Sequence, residues 1–99
     1  MRRGSTPTNT FDVDIDLTGA TVFITYKQKG RTVIEKTGTD ITVTSTSLTV
    51  ELTQAETLAL DVGEVEMQIR YVFPNGSADA SNIMRATAER ILKDGVIEP

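Results

Sequence analysis

A chain of 99 residues has the size of one ordinary domain, and its 38% apolar and 24% charged residues are globular proportions, so a single domain spanning 1–99 is expected and a disordered chain is not. It contains no cysteine and no histidine, which excludes a disulfide framework, thiolate chemistry and the usual near-neutral acid–base and zinc ligands. The formal net charge of -4 opposes general adhesion to nucleic acid or to an anionic membrane.

The opening stretch Met1-Arg2-Arg3-Gly4-Ser5-Thr6-Pro7 is basic but leads into no apolar run. It therefore reads as a flexible N-terminal arm over residues 1–8, not as a secretory signal, and the protein is expected to be made inside a cell. No segment approaches the roughly 20 apolar residues that span a bilayer. Threonine occurs 16 times, mostly before residue 58, and β-branched side chains with their restricted χ1 favour a pleated surface over a helix.

From Phe11 to Leu17 apolar and acidic residues alternate without a fault, predicting a strand with Phe11, Val13, Ile15 and Leu17 on one face and Asp12, Asp14 and Asp16 on the other. Thr18-Gly19 breaks it. Thr21 to Lys27 forms a second strand with Val22, Ile24 and Tyr26 inward and Phe23 among the threonines. Gln28-Lys29-Gly30 is a hairpin turn signal, and a third strand follows from Arg31 to about Thr37. After a turn at Gly38 to Asp40, Ile41 and Val43 mark a short fourth strand, and Leu48, Val50 and Leu52 alternate with Thr49, Glu51 and Thr53 in a fifth.

Thr53-Gln54-Ala55-Glu56 has the form of a capping box, predicting one helical turn. Gly63 ends that connection, and Val65, Met67, Ile69, Tyr71 and Phe73 alternate with polar residues in a long sixth strand closed by the turn Pro74-Asn75-Gly76. Ala80 to Lys93 fits two patterns. Ile83, Met84, Thr87, Ala88, Ile91 and Leu92 lie on one face of a helix, whereas Met84, Ala86, Ala88 and Leu92 share one face of a returning strand. The preceding hairpin turn favours the strand. The expected fold is all-β: an immunoglobulin-like antiparallel β-sandwich of about seven short strands with one short helical turn and a C-terminal tail at 94–99. The alternative is an α+β arrangement with a C-terminal helix at 81–93. The cysteine pair and core tryptophan that mark many immunoglobulin domains are missing.

Four patterns bear on chemistry. Asp12, Asp14 and Asp16 resemble the start of a calcium loop, but the obligatory glycine would fall on Leu17 and the bidentate glutamate on Phe23. A solvated, charge-protected strand face explains them better. Glu64 and Glu66, a conceivable carboxylate pair, continue into Gln68 and Arg70 as a solvated or cross-strand-paired row. Lys27, Lys29 and Arg31 beside one hairpin tip, and Arg2 with Arg3, are basic clusters accompanied by few aromatics, which disfavours base stacking. Asn75-Gly76-Ser77 has the form of a glycosylation acceptor, but its turn role accounts for it. No catalytic, cofactor-binding or metal residue is assigned, no cofactor is expected, and nucleic acid, membrane and small-molecule substrates are not expected partners.

Several stretches carry a likeness to a known group: Arg2-Arg3-Gly4-Ser5-Thr6-Pro7-Thr8 leading into Phe11, Ile24-Thr25-Tyr26-Lys27-Gln28-Lys29-Gly30, Leu52-Thr53-Gln54-Ala55-Glu56-Thr57, Val65-Glu66-Met67-Gln68-Ile69-Arg70, and Gly95-Val96-Ile97. The chain resembles small uncharacterised proteins encoded by phages and prophages of Gram-positive gut bacteria. That resemblance implies a non-enzymatic virion structural or assembly protein, made in the host bacterial cytoplasm, oligomeric in assembly and partnered by other phage structural proteins. The alternatives are a β-sandwich module binding a host surface glycan or protein, and a small regulator of a host protein.

Overall fold

The computed structural model describes Met1–Pro99. Its elements run β1 (Thr8–Asp12), β2 (Thr21–Gln28), β3 (Arg31–Thr37), a 3-10 turn (Gly38–Asp40), β4 (Ile41–Val43) and β5 (Ser47–Glu51). Helix α1 (Gln54–Leu58), β6 (Gly63–Val72), β7 (Ala78–Ala80) and β8 (Met84–Ala88) complete the chain. Every strand pairing is antiparallel.

The strands form two sheets, a three-stranded one in the order β1-β5-β4 and a five-stranded one in the order β3-β2-β6-β7, with β8 also paired to β6. Their inner faces share one core. Phe11, Ile41, Leu48 and Val50 from the smaller sheet meet Val22, Ile24, Tyr26, Ile34, Val65, Met67, Ile69 and Ala88 from the larger, with Leu17, Leu52 and Leu60 closing the ends. In the immunoglobulin pattern, strands A, B, E and D face C, F and G, with C′ added in variable-type domains. Here β1, β5 and β4 occupy the places of B, E and D, and β3, β2, β6 and β7–β8 those of C′, C, F and G. The all-β immunoglobulin-like sandwich is therefore the fold, but nothing in the smaller sheet lies outside β1, where strand A would pair.

The local chemistry is legible at most joints. The β2–β3 connection is the two residues Lys29 and Gly30, between the paired Gln28 and Arg31. Both have positive φ, 52° and 76°, the signature of a type I′ turn whose twist matches the flanking strands. At α1 the Thr53 hydroxyl accepts from Glu56 N–H at 3.1 Å while the Glu56 carboxylate accepts from Thr53 N–H at 2.9 Å, completing the capping box.

Three expectations need correction. The first strand ends at Asp12 and does not run on to Leu17. The Asp16 carboxylate accepts from the N–H and hydroxyl of Thr18 at 2.9 and 2.6 Å, and Gly19 takes φ 82°, so the chain turns where the alternation would have kept it straight. Leu17 still reaches the core at 0% exposure, while Ile15 is 37% exposed.

The last segment is a strand, as favoured over the helix, but it is split into β7 and β8. Between Ala80 opposite Arg70 and Met84 opposite Met67, the three residues Ser81–Ile83 face only Gln68 and Ile69, a bulge of one residue. Ser81 stabilises the break by donating its N–H to the Ile69 carbonyl at 2.8 Å and accepting the Ile69 N–H on its hydroxyl at 3.0 Å. Met84, Ala86 and Ala88 share the inner face, but Leu92 lies beyond the strand and is 93% exposed.

Residues 1–8, read from the sequence as a flexible arm, are docked in this structure. Arg2 forms a parallel bridge with Glu89, Ser5 O accepts from the buried Thr57 hydroxyl at 2.8 Å, and Pro7 O accepts from Leu52 N–H at 3.0 Å. The tail is held likewise: the Gln54 amide donates to Ile97 O at 3.0 Å and accepts from Ile97 N–H at 2.9 Å.

Candidate interaction surface

The polar groups inside the fold are occupied by the fold itself. Lys36, inward on β3, meets the Glu56 carboxylate at 2.8 Å. Burial pushes the Glu56 carboxyl up, but the bond and charge of Lys36 together with the Thr53 bonds outweigh it and hold the group below its ordinary value. The Tyr26 phenol, pushed up by burial against the opposing effect of its Asn9 bond, accepts from the Asn9 amide at 2.8 Å and so ties β1 to β2 across the core. Gln28 donates to Asp61 O at 2.7 Å and accepts from Asp61 N–H at 2.7 Å, pinning the hairpin base to the connection before β6. No buried side-chain nitrogen or oxygen lacks a partner.

The residues singled out from the sequence fall into separate places. Arg85 on β8 reaches Glu64 at 3.4 Å and Glu66 at 3.6 Å, so of the solvated and cross-strand-paired arrangements expected for the two carboxylates, the paired one forms. Lys29 is the first residue of the type I′ turn, with Lys27 and Arg31 on the strands beside it. Arg3 is drawn away from solvent: its guanidinium donates to the Leu60 and Leu58 carbonyls at 2.6 and 2.9 Å, closing the C-terminal end of α1, and lies 3.6 Å from Asp94. Arg2 pairs with Glu89 at 3.9 Å. In the Asn75-Gly76-Ser77 turn the Asn75 side chain accepts from Ser77 N–H at 2.9 Å. The Asp16 carboxyl, fully exposed, is lowered by its two Thr18 bonds.

What the tertiary structure adds is a seam between the sheets. Along it lies an open groove of about 430 Å³, lined by Val13, Ile15, Tyr71, Ala80 and Met84 together with Asp12, Asp14, Ser81 and Asn82. One wall is the end of β1 and the turn that follows; the other is the bulge between β7 and β8. Val13 donates to Thr46 O and Leu52 to Pro7 O, so the odd-numbered residues of β1 bond towards β5. By the alternation of an antiparallel ladder, Thr8, Thr10 and Asp12 then direct their N–H and C=O groups to the uncovered side. The backbone N–H groups of Asp14, Ile15, Asp16, Asn82 and Ile83 have no protein partner either. In sequence, the sole trace of this groove is the Phe11–Leu17 alternation, and it points all four apolar residues into a core that Ile15 does not enter.

No family model matches the chain, and no curated protein matches it. Among solved structures, the V domain of amphioxus IgVJ-C2 is similar at 15% identity, over 92% of this chain and 97% of that one, with a TM-score of 0.38.

Proposed function

We propose that this protein is a non-enzymatic structural or assembly component of a phage particle, made in the host bacterial cytoplasm and acting through protein–protein contacts in the virion. The observation that supports it best is the uncovered edge of β1 beside an apolar, acidic-rimmed groove, a surface suited to engaging another polypeptide. The surface carboxylates support the same reading, because Glu64 and Glu66 are paired to Arg85 across the strand and Asp16 to its own turn. The sequence likeness to small phage and prophage proteins supplies the setting. Mass spectrometry of purified particles is the test: the protein is expected at a fixed ratio to the other structural proteins, and its consistent absence from intact particles overturns the proposal.

A further inference from the structure

We infer that the seam between β1 and the β7–β8 bulge receives an extended segment of another structural protein as an added strand, apolar at alternate positions and basic between them. This rests on the assembly reading above and specifies where the contact is made and what recognises it.

Three features of the seam agree. The edge of β1 offers main-chain groups at Thr8, Thr10 and Asp12, and a strand laid beside it restores the layer that strand A supplies in the immunoglobulin pattern. Side chains of alternate residues on that strand turn inward onto Val13, Ile15, Tyr71, Ala80 and Met84, the apolar lining of the groove. The charged residues lining the groove are Asp12 and Asp14 and no cation accompanies them, so the intervening residues of the incoming strand meet negative charge and are Lys or Arg.

The other long edge is built differently. β3 exposes Arg31 and Glu35 and carries a register irregularity opposite Tyr26 and Lys27, devices that discourage pairing. β1 has no bulge, and its one charge, the exposed Asp12, repels an acidic strand but attracts a basic one. The N-terminal stretch meets β8 only near its end, where the Met1 ammonium donates to Thr87 O at 2.7 Å and Arg2 bridges Glu89, and leaves the β7–β8 break uncovered.

The experiment uses the full chain and a short synthetic peptide of alternating lysine and valine, with hydrogen exchange read residue by residue. Protection is expected at Thr8, Thr10, Asp12 and Ile15 and at Asn82 and Ile83. A control peptide with the same residues in two blocks is expected to bind at least roughly tenfold more weakly. The Asp12→Lys/Asp14→Lys variant, altered only at exposed positions and checked by an unchanged melting curve, is expected to lose the alternating lysine peptide by a similar factor and to gain an alternating glutamate one. Equal binding of the block peptide, or protection confined to β3, overturns the inference. So does concentration-dependent self-association that protects the same amides without peptide, which assigns the seam to a second copy. Particle composition is a separate measurement, so presence in virions with no strand addition refutes this inference alone.

Discussion

Glu56 performs two tasks with one carboxylate: it completes the cap of α1 and neutralises Lys36. Glutamine keeps an acceptor for the capping box but removes the charge, leaving a nearly buried ammonium unpaired. Glu56→Gln is therefore expected to lower the unfolding free energy in urea by about 2 kcal/mol at neutral pH. Adding Lys36→Met is expected to recover the loss to within about 1 kcal/mol, since an apolar side chain avoids the desolvation of the ammonium. Because the native Glu56 pKa is depressed, its contribution is present above the ordinary glutamate value and is lost as pH falls through the native one. The gap between wild type and Glu56→Gln is accordingly expected to narrow as pH falls below the ordinary glutamate value and to close once the native carboxyl is protonated. Leu17 and Ile15 make a second residue-level contrast, belonging to one alternating row yet differing in burial, 0% against 37%. Leu17→Ala is expected to cost about 3 kcal/mol and Ile15→Ala under about 1 kcal/mol, measured by the same denaturation. Equal losses at the two positions would restore the straight strand that the alternation suggests.

At the scale of elements, the connections follow local rules wherever a short signal acts alone. The Lys29-Gly30 turn needs positive φ at both residues, which glycine supplies freely and lysine only with strain. Lys29→Asn is expected to stabilise the protein by about 0.5 kcal/mol and Gly30→Ala to destabilise it by about 1 kcal/mol, both read from thermal denaturation. Helix α1 was legible for the same reason, since Thr53 and Glu56 act within one turn. β1 and the final segment were less so. In the first, the Asp16–Thr18 bonds compete with the ladder; in the second, Ser81 supplies both a donor and an acceptor to Ile69, inserting a residue that no periodicity announces. The helical face of 81–93 loses because Met84 to Ala88 pair with Gly63 to Met67, an edge of β6 that would otherwise have no ladder partner.

For the molecule as a whole, the terminal stretches act as fasteners. Arg3 bonds the two carbonyls at the end of α1, and the buried Thr57 hydroxyl bonds Ser5, so residues 1–8 and α1 are secured together. Arg3→Met is expected to cost about 2 kcal/mol and to raise proteolytic cleavage within residues 1–8, because charge-assisted bonds are lost while the aliphatic stem is kept. Unchanged stability and cleavage would return this stretch to the flexible arm that composition alone suggests. Such docking leaves β1 as the open flank of the sandwich, with the β7–β8 bulge as its opposite lip.

The sequence by itself determined the class of fold. The alternation in β2, β5 and β6, the turn residues between them and the capping box are local signals, each set by the steric and hydrogen-bonding demands of a few neighbours. It also read Glu64 and Glu66 as a solvated or cross-strand-paired row, and the structure pairs both with Arg85. Only the tertiary structure decided where a strand stops, which of the apolar residues between Phe11 and Leu17 enter the core, and that Arg3 faces carbonyls instead of solvent. The seam belongs to that second group as well. Its walls, Asp12 to Ile15 and Ala80 to Met84, are brought together by sheet packing across more than half the chain, and no periodicity in either segment encodes the other.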